Sequence, residues 1–231
     1  MTGQGRIRYT HHKSPVVVHQ ENGEAISLAE LCKASTPPCR LNPLLFNGHL
    51  QTMWTATKAT DIPIYYKRHL FSAEEPEYRG TFAADFVVPP YEDTDATLPP
   101  RTTYYTAEEH ANLGSDDNKP MLFALHGLSG GSYEVYLRAV LEPLAKAGWE
   151  ICVVNSRGCA MSKITSGVLY NARATWDIRQ TVKWARQQWP HRRFFGIGFS
   201  LGANILTNVR RARNAALKCD MVIFDSNLQS V

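Results

Sequence analysis

The stretch RFFGIGFSLGANIL, Arg193 to Leu206, decides the fold. Arg193 to Gly198 is aromatic and apolar and reads as a short buried strand. Leu201 to about Arg211 reads as a helix. Between them lies Gly198-Phe199-Ser200-Leu201-Gly202, a GxSxG at a strand-to-helix junction. So tight a turn lifts Ser200 above the sheet edge, where its hydroxyl can attack an acyl carbon. Gly198 and Gly202 lack a Cβ, so neighbouring segments can pack against the turn. The N–H groups of the first helical turn favour negative charge developing nearby. Ser200 is therefore the candidate nucleophile, and the Leu201 N–H a candidate donor to an oxyanion.

The same alternation extends upstream. PMLFAL (Pro120 to Leu125) and WEICVVN (Trp149 to Asn155) read as strands. Leu137, Val140, Leu141 and Leu144 form a helical stripe between them, with Pro143 implying a kink. Ile178, Val182, Ala185 and Trp189 share one face of a helix over Trp176 to Trp189, stopped by Pro190. Leu217 to Phe224 is expected to be a further strand. Strands alternating with amphipathic helices predict an α/β fold, a mostly parallel sheet covered on both faces, with its chemistry at the carboxyl ends of the strands.

At one such end stands His126-Gly127-Leu128-Ser129-Gly130-Gly131. Its glycines let backbone approach a ligand, and the Leu128 N–H is a second candidate oxyanion donor. His126 either props this loop or acts as a base. The prop is favoured, because in this chain order the base comes late. No Lys-Ser/Thr pair follows the glycines, which argues against a phosphate loop. Arg157, just past the strand ending at Asn155, could meet an anionic substrate or pair with an acid; pairing is favoured.

Earlier in the chain, Ser27 to Ala34 (SLAELCKA) reads as a short helix, and Ile62 to Phe71 and Thr81 to Val88 as strands. Pro89 to Pro100 reads as an exposed acidic loop. Glu74 to Asp117 holds eleven acids against two bases, a local charge of −9 in a chain of net charge +4. Two solvated faces of opposite sign are expected. So small a net excess gives no argument for nucleic acid. Five scattered cysteines without a CxxC pair argue against a disulfide framework or a zinc site and fit an intracellular setting. No leader is read at the amino terminus, and no apolar stretch reaches the ~20 residues of a membrane helix, so lipid contact would be peripheral.

HGLSGGS (His126 to Ser132), SRGC (Ser156 to Cys159), WDIRQTVKW (Trp176 to Trp184) and GFSLGANIL (Gly198 to Leu206) together resemble the α/β-hydrolases. NPLLFNGHLQTMW (Asn42 to Trp54) narrows the resemblance to the branch of fungal ethanol acyltransferases and medium-chain fatty acid ethyl ester synthase/esterases. The resemblance implies an N-terminal extension over 1–41 and an α/β-hydrolase domain over 42–231. It implies a serine acyl enzyme with no cofactor and no metal. Its substrates would be medium- or short-chain acyl esters, or acyl-CoA with a small alcohol, giving carboxylesterase, acylglycerol lipase-like or alcohol O-acyltransferase chemistry. Its location would be cytoplasmic, or peripheral on a lipid droplet or mitochondrial membrane. Gly198, Gly202, His126 and Gly127 would support the site. Asn47, Gly48, His49 and Gln51 suit polar contacts near an active-site mouth, although a lone histidine before a turn is more often structural.

Catalysis by a serine also needs a base and an acid to orient it, in the order Ser, Asp or Glu, His. The 31 residues after Ser200 contain no histidine, and the last histidine is His191. The expectation is an incomplete domain lacking its last strands, with little turnover of its own. Asp225, just past the final expected strand, is read as a turn residue rather than the acid.

Overall fold

Burial on both faces, not local propensity, organises the sheet: the central strands are buried along almost their whole length. In the computed structural model, residues 7–20, 22–40, 42–57, 60–93 and 95–211 are described, and they divide between residues 59 and 60 into two compact units. The Leu217 to Phe224 strand and Asp225 lie outside the described residues.

The first unit holds a hairpin of β1 (Val17–His19) and β2 (Ala25–Ser27), then α1 (Leu28–Ser35) and α2 (Gly48–Thr57). A capping box starts α1: the Ser27 side chain accepts from the Glu30 N–H while the Glu30 side chain accepts from the Ser27 N–H. Asn47 Oδ1 accepts the Leu50 N–H at 2.9 Å at the start of α2, and Gln51 Nε2 donates to the Leu45 carbonyl at 3.0 Å. His49 is exposed.

The second unit is built on a six-stranded sheet. Its strands are β3 (Tyr65–Ser72), β4 (Thr81–Val88), β5 (Thr102–Tyr104), β6 (Met121–Leu125), β7 (Glu150–Asn155) and β8 (Phe194–Gly198), in the order β5-β3-β4-β7-β6-β8. Three pairings are parallel, β5 with β3, β7 with β6 and β6 with β8; β4 runs antiparallel between β3 and β7. Among the elements that went unread in the sequence are β5 and the five-residue helix α3 (Ala107–Ala111) here, and β2 and α2 in the first unit. Three longer helices complete the unit: α4 (Val135–Lys146), α5 (Trp176–Gln188) and α6 (Leu201–Arg211).

Strand period 2 splits the core into two layers. Met121, Phe123 and Leu125 of β6 face Ile178, Val182 and Ala185 of α5 and Leu206 of α6. Leu122 and Ala124 face the other way, onto Leu137 and Leu141 of α4. Pro143 neither ends nor shortens α4, which runs on to Lys146. It sits near the end of the helix and removes one i→i−4 bond, the one its N–H would have made to the Ala139 carbonyl.

Charge is distributed differently from the expectation. Four acids of the Glu74 to Asp117 stretch meet bases from outside it: Asp85 with Arg68, Glu109 with Lys67, Glu74 with Lys183, and Asp117 with Arg192. Asp85 and Arg68 are fully buried rather than solvated.

Candidate active site

The turn between β8 and α6 has the shape its glycines permit. Ser200 sits at φ 51°, in the left-handed region, and is exposed. A non-glycine residue held there is strained and persists only where surrounding packing dictates it. A Cβ on Gly198 would lie 2.5 Å from the Ala203 nitrogen, and one on Gly202 would lie 2.4 Å from the Leu125 carbonyl oxygen. The Phe199 N–H donates to that same Leu125 carbonyl at 3.0 Å. Helix α6 thus starts in contact with the end of β6, and Ser200 is pushed out over the carboxyl edge of the sheet.

The loop after β6 lies against this turn. A Cβ on Gly127 would come 3.7 Å from the Ser200 Cβ. Within the loop most amides are committed. Gly127 N–H donates to the Tyr136 hydroxyl at 3.0 Å, Ser129 N–H to the Tyr170 hydroxyl at 3.3 Å, and Gly130 N–H to the Gly127 carbonyl at 3.2 Å. The Leu128 N–H has no partner among the described residues, and neither has the Leu201 N–H. Sequence reading could not have told which loop amide stays free, because Tyr136 and Tyr170 arrive from other elements.

Both nitrogens of His126 are occupied. Its Nδ1 donates to the Gly127 carbonyl at 2.6 Å, and its Nε2 accepts the Ser156 N–H at 3.0 Å. That pair of partners fixes the neutral ring, and burial holds its pKa below the usual histidine value. The ring ties the loop after β6 to the loop after β7.

Arg157 pairs with an acid, as expected. It makes a bidentate bridge to Asp177 at the start of α5 (2.9 and 2.7 Å) and donates to the Arg79 carbonyl at 2.9 Å, all within a buried site. Beside it, Leu125, Val154, Tyr170, Ile178 and Ile205 line a cavity of about 20 Å³, room for about one water. The loops after β6 and β7 carry the exposed side chains of Leu128, Met161, Ile164 and Leu169.

No described residue hydrogen-bonds to the Ser200 hydroxyl, and no group of three or more metal-ligating side chains occurs among the described residues.

A family model for the alpha/beta hydrolase fold matches residues 120–230, the stretch that contains both loops and the serine turn. The chain has the α/β-hydrolase fold. It is homologous to two proteins of Saccharomyces cerevisiae. One is a monoacylglycerol lipase, 37% identical over 90% of this chain and 51% of the relative. The other is medium-chain fatty acid ethyl ester synthase/esterase 2, 30% identical over 82% of this chain and 49% of the relative. The chain spans about half the length of these curated relatives. Among solved structures it is similar to an esterase from Pyrococcus furiosus, at 21% identity and a TM-score of 0.42, over 64% of this chain and 48% of that one. No helix among the described residues is long and apolar enough to cross a membrane.

Proposed function

We propose that Ser200 is the nucleophile of a serine acyl hydrolase or acyltransferase acting on medium- or short-chain acyl esters. The observation that supports this best is the exposed Ser200 at φ 51°, against the loop after β6, in which the Leu128 N–H has no partner among the described residues. In the proposed reaction the Ser200 Oγ attacks the acyl carbon and loses its proton to a base. The tetrahedral oxyanion is held by the Leu128 and Leu201 N–H groups, at roughly 3 kcal/mol for each donor. The C–O bond of an ester, or the C–S bond of an acyl-CoA, then breaks, and the leaving group takes the proton. Water or a small alcohol attacks the acyl-enzyme, releasing acid or ester and restoring Ser200. The names of the two yeast relatives favour esters of glycerol or ethanol as substrates. Gly127, Gly198 and Gly202 admit the close approaches this geometry needs, and His126 props the loop instead of taking the proton.

The described residues supply no base to Ser200. On the described residues alone, acylation of Ser200 is proposed to be slow, at the residual rate that oxyanion stabilisation and binding provide. Contact with lipid or with a partner in place of catalysis is the competing reading, favoured by that same lack of a base. A fluorophosphonate probe on the purified protein separates the two. Labelling that vanishes in Ser200→Ala supports the nucleophile, and a folded sample that never labels refutes it.

A further inference from the structure

The loop that carries Leu128 ends on a buried charge that the acyl chemistry does not use. Asp85 lies in the middle of β4 with no exposed surface. Its Oδ1 accepts Arg68 Nε at 2.6 Å. Its Oδ2 accepts Arg68 Nη2 at 2.8 Å, the Ser132 hydroxyl at 2.5 Å and Asn155 Nδ2 at 2.7 Å. These four bonds, one on Oδ1 and three on Oδ2, engage both oxygens of the carboxylate. The other ends of the cluster are engaged as well. Asn155 Oδ1 accepts the Ser132 N–H at 3.0 Å, Tyr66 donates its hydroxyl to the Ser132 carbonyl at 3.0 Å, and Arg68 Nη1 donates to the Ala160 carbonyl at 2.9 Å. Every polar atom of Ser132 is thereby fixed, and Ser132 is itself fully buried.

A buried ion pair adds little stability over well-packed apolar residues, because desolvation offsets most of the attraction. What this one holds is geometry. Its donors come from β3, from the end of β7 and from the loop after β6, and its guanidinium grips the turn after β7. Gly131, next to Ser132, is pressed against that turn: a Cβ there would lie 2.8 Å from the Ala160 Cβ. The loop is thus anchored at both ends, by His126 at one and by Ser132 at the other, with the free Leu128 N–H between the anchors.

We propose that Asp85 is a positioning residue, which through Ser132 and Asn155 fixes the loop so that the Leu128 N–H faces the acyl oxygen. The inference rests on Ser200 being the nucleophile. A donor displaced by a fraction of an ångström to 1 Å loses roughly 10- to 100-fold in rate. With no base to Ser200 among the described residues, the rate expected comes from the oxyanion donors and binding, so the displacement is read directly.

Two variants, Ser132→Ala and Asn155→Ala, leave the Arg68–Asp85 pair in place. Fluorophosphonate labelling is measured as a maximal rate and a half-saturating concentration, with amide hydrogen exchange over residues 127–131 alongside. The expected result is a maximal rate lowered at least about 10-fold per folded molecule, an unchanged half-saturating concentration, and faster exchange in the loop. A purely structural role would lower the urea midpoint and leave the rate of the folded fraction unchanged. Unchanged exchange in both variants overturns the clamp whatever Ser200 does. Faster exchange with an unchanged labelling rate overturns its link to the reaction. A wild-type protein that never labels, with exchange still responding, refutes the nucleophile and the positioning role together but leaves the loop contact standing.

Discussion

Replacing Gly202 by alanine tests the contact on which the serine turn is built. The added Cβ would lie 2.4 Å from the Leu125 carbonyl oxygen, 2.7 Å from the His126 carbonyl oxygen and 2.8 Å from the Leu125 carbonyl carbon. Ordinary contact begins at 3.4 Å, so one side must retreat by up to about 1 Å. All three atoms are backbone, and no side chain can rotate away. Overpacking of this kind costs about 1–3 kcal/mol. Moving the Leu125 carbonyl also weakens its 3.0 Å bond from the Phe199 N–H, worth about 1 kcal/mol. Against this stands the gain of up to about 1 kcal/mol that alanine brings to a helix. The net loss is about 1–3 kcal/mol, which lowers the Tm of a chain this size by about 2–12 °C. The control is Gly167→Ala, where nothing lies within 4 Å and φ is ordinary. That change should leave stability equal or slightly higher through the unfolded chain. Calorimetric scans of the two variants give the answer. Equal melting temperatures would mean that β6 and α6 do not meet at Gly202, and the derivation of an exposed Ser200 would fail with it.

Ser200→Gly should be about 1 kcal/mol more stable to urea than Ser200→Ala, since both remove the hydroxyl but glycine alone relaxes the left-handed φ of 51°; equal midpoints would deny the strain. Arg157→Ala strands the Asp177 carboxylate in a buried site and should cost about 3–5 kcal/mol, whereas a loss below 1 kcal/mol would show that water reaches the pair. Burial lowers the pKa of His126, and burial together with the adjacent His110 lowers that of His69 to about 4. The unfolded chain therefore binds these protons first, so urea midpoints should hold above pH 6.5 and fall as pH drops from 6.5 towards 4. A flat profile across that window would contradict the neutral, doubly bonded His126 ring.

The parts of the fold made of long apolar patterns were legible. RFFGIG, WEICVVN and TFAADFVV carry their burial in their own residues, and β4 matches its expected span of Thr81 to Val88. Strand β3 starts at Tyr65 and not at Ile62, because Pro63 has no N–H to give the ladder. Strand β5 is three residues long and carries no pattern; it exists because Arg68 and Tyr66 of β3 offer bonds to Tyr105 and Arg101. Helix α3 had a readable signal that went unread, the Thr106-to-Glu109 capping box. At the site, Ser200, the glycines and the two loops follow from local sequence. Asp85 also left a trace, a charge inside an otherwise apolar strand, which is rarely buried without a partner. Its partners were beyond reach: Arg68, Ser132 and Asn155 lie 17, 47 and 70 positions away in sequence.

The pairing of the acidic stretch also sets an order of events in time. Arg68 precedes Asp85 by 17 positions, so that pair can close while synthesis continues. Glu74 and Asp117 must wait for Lys183 and Arg192, which emerge 109 and 75 positions later. Until then Glu74 and Asp117 lack these partners, while Asp85 and Glu109 can already meet Arg68 and Lys67. Lys183 of α5 and Arg192, just before β8, thus supply cations that two of these acids lack until late, so the pairing of the acidic stretch completes only after α5 has been made.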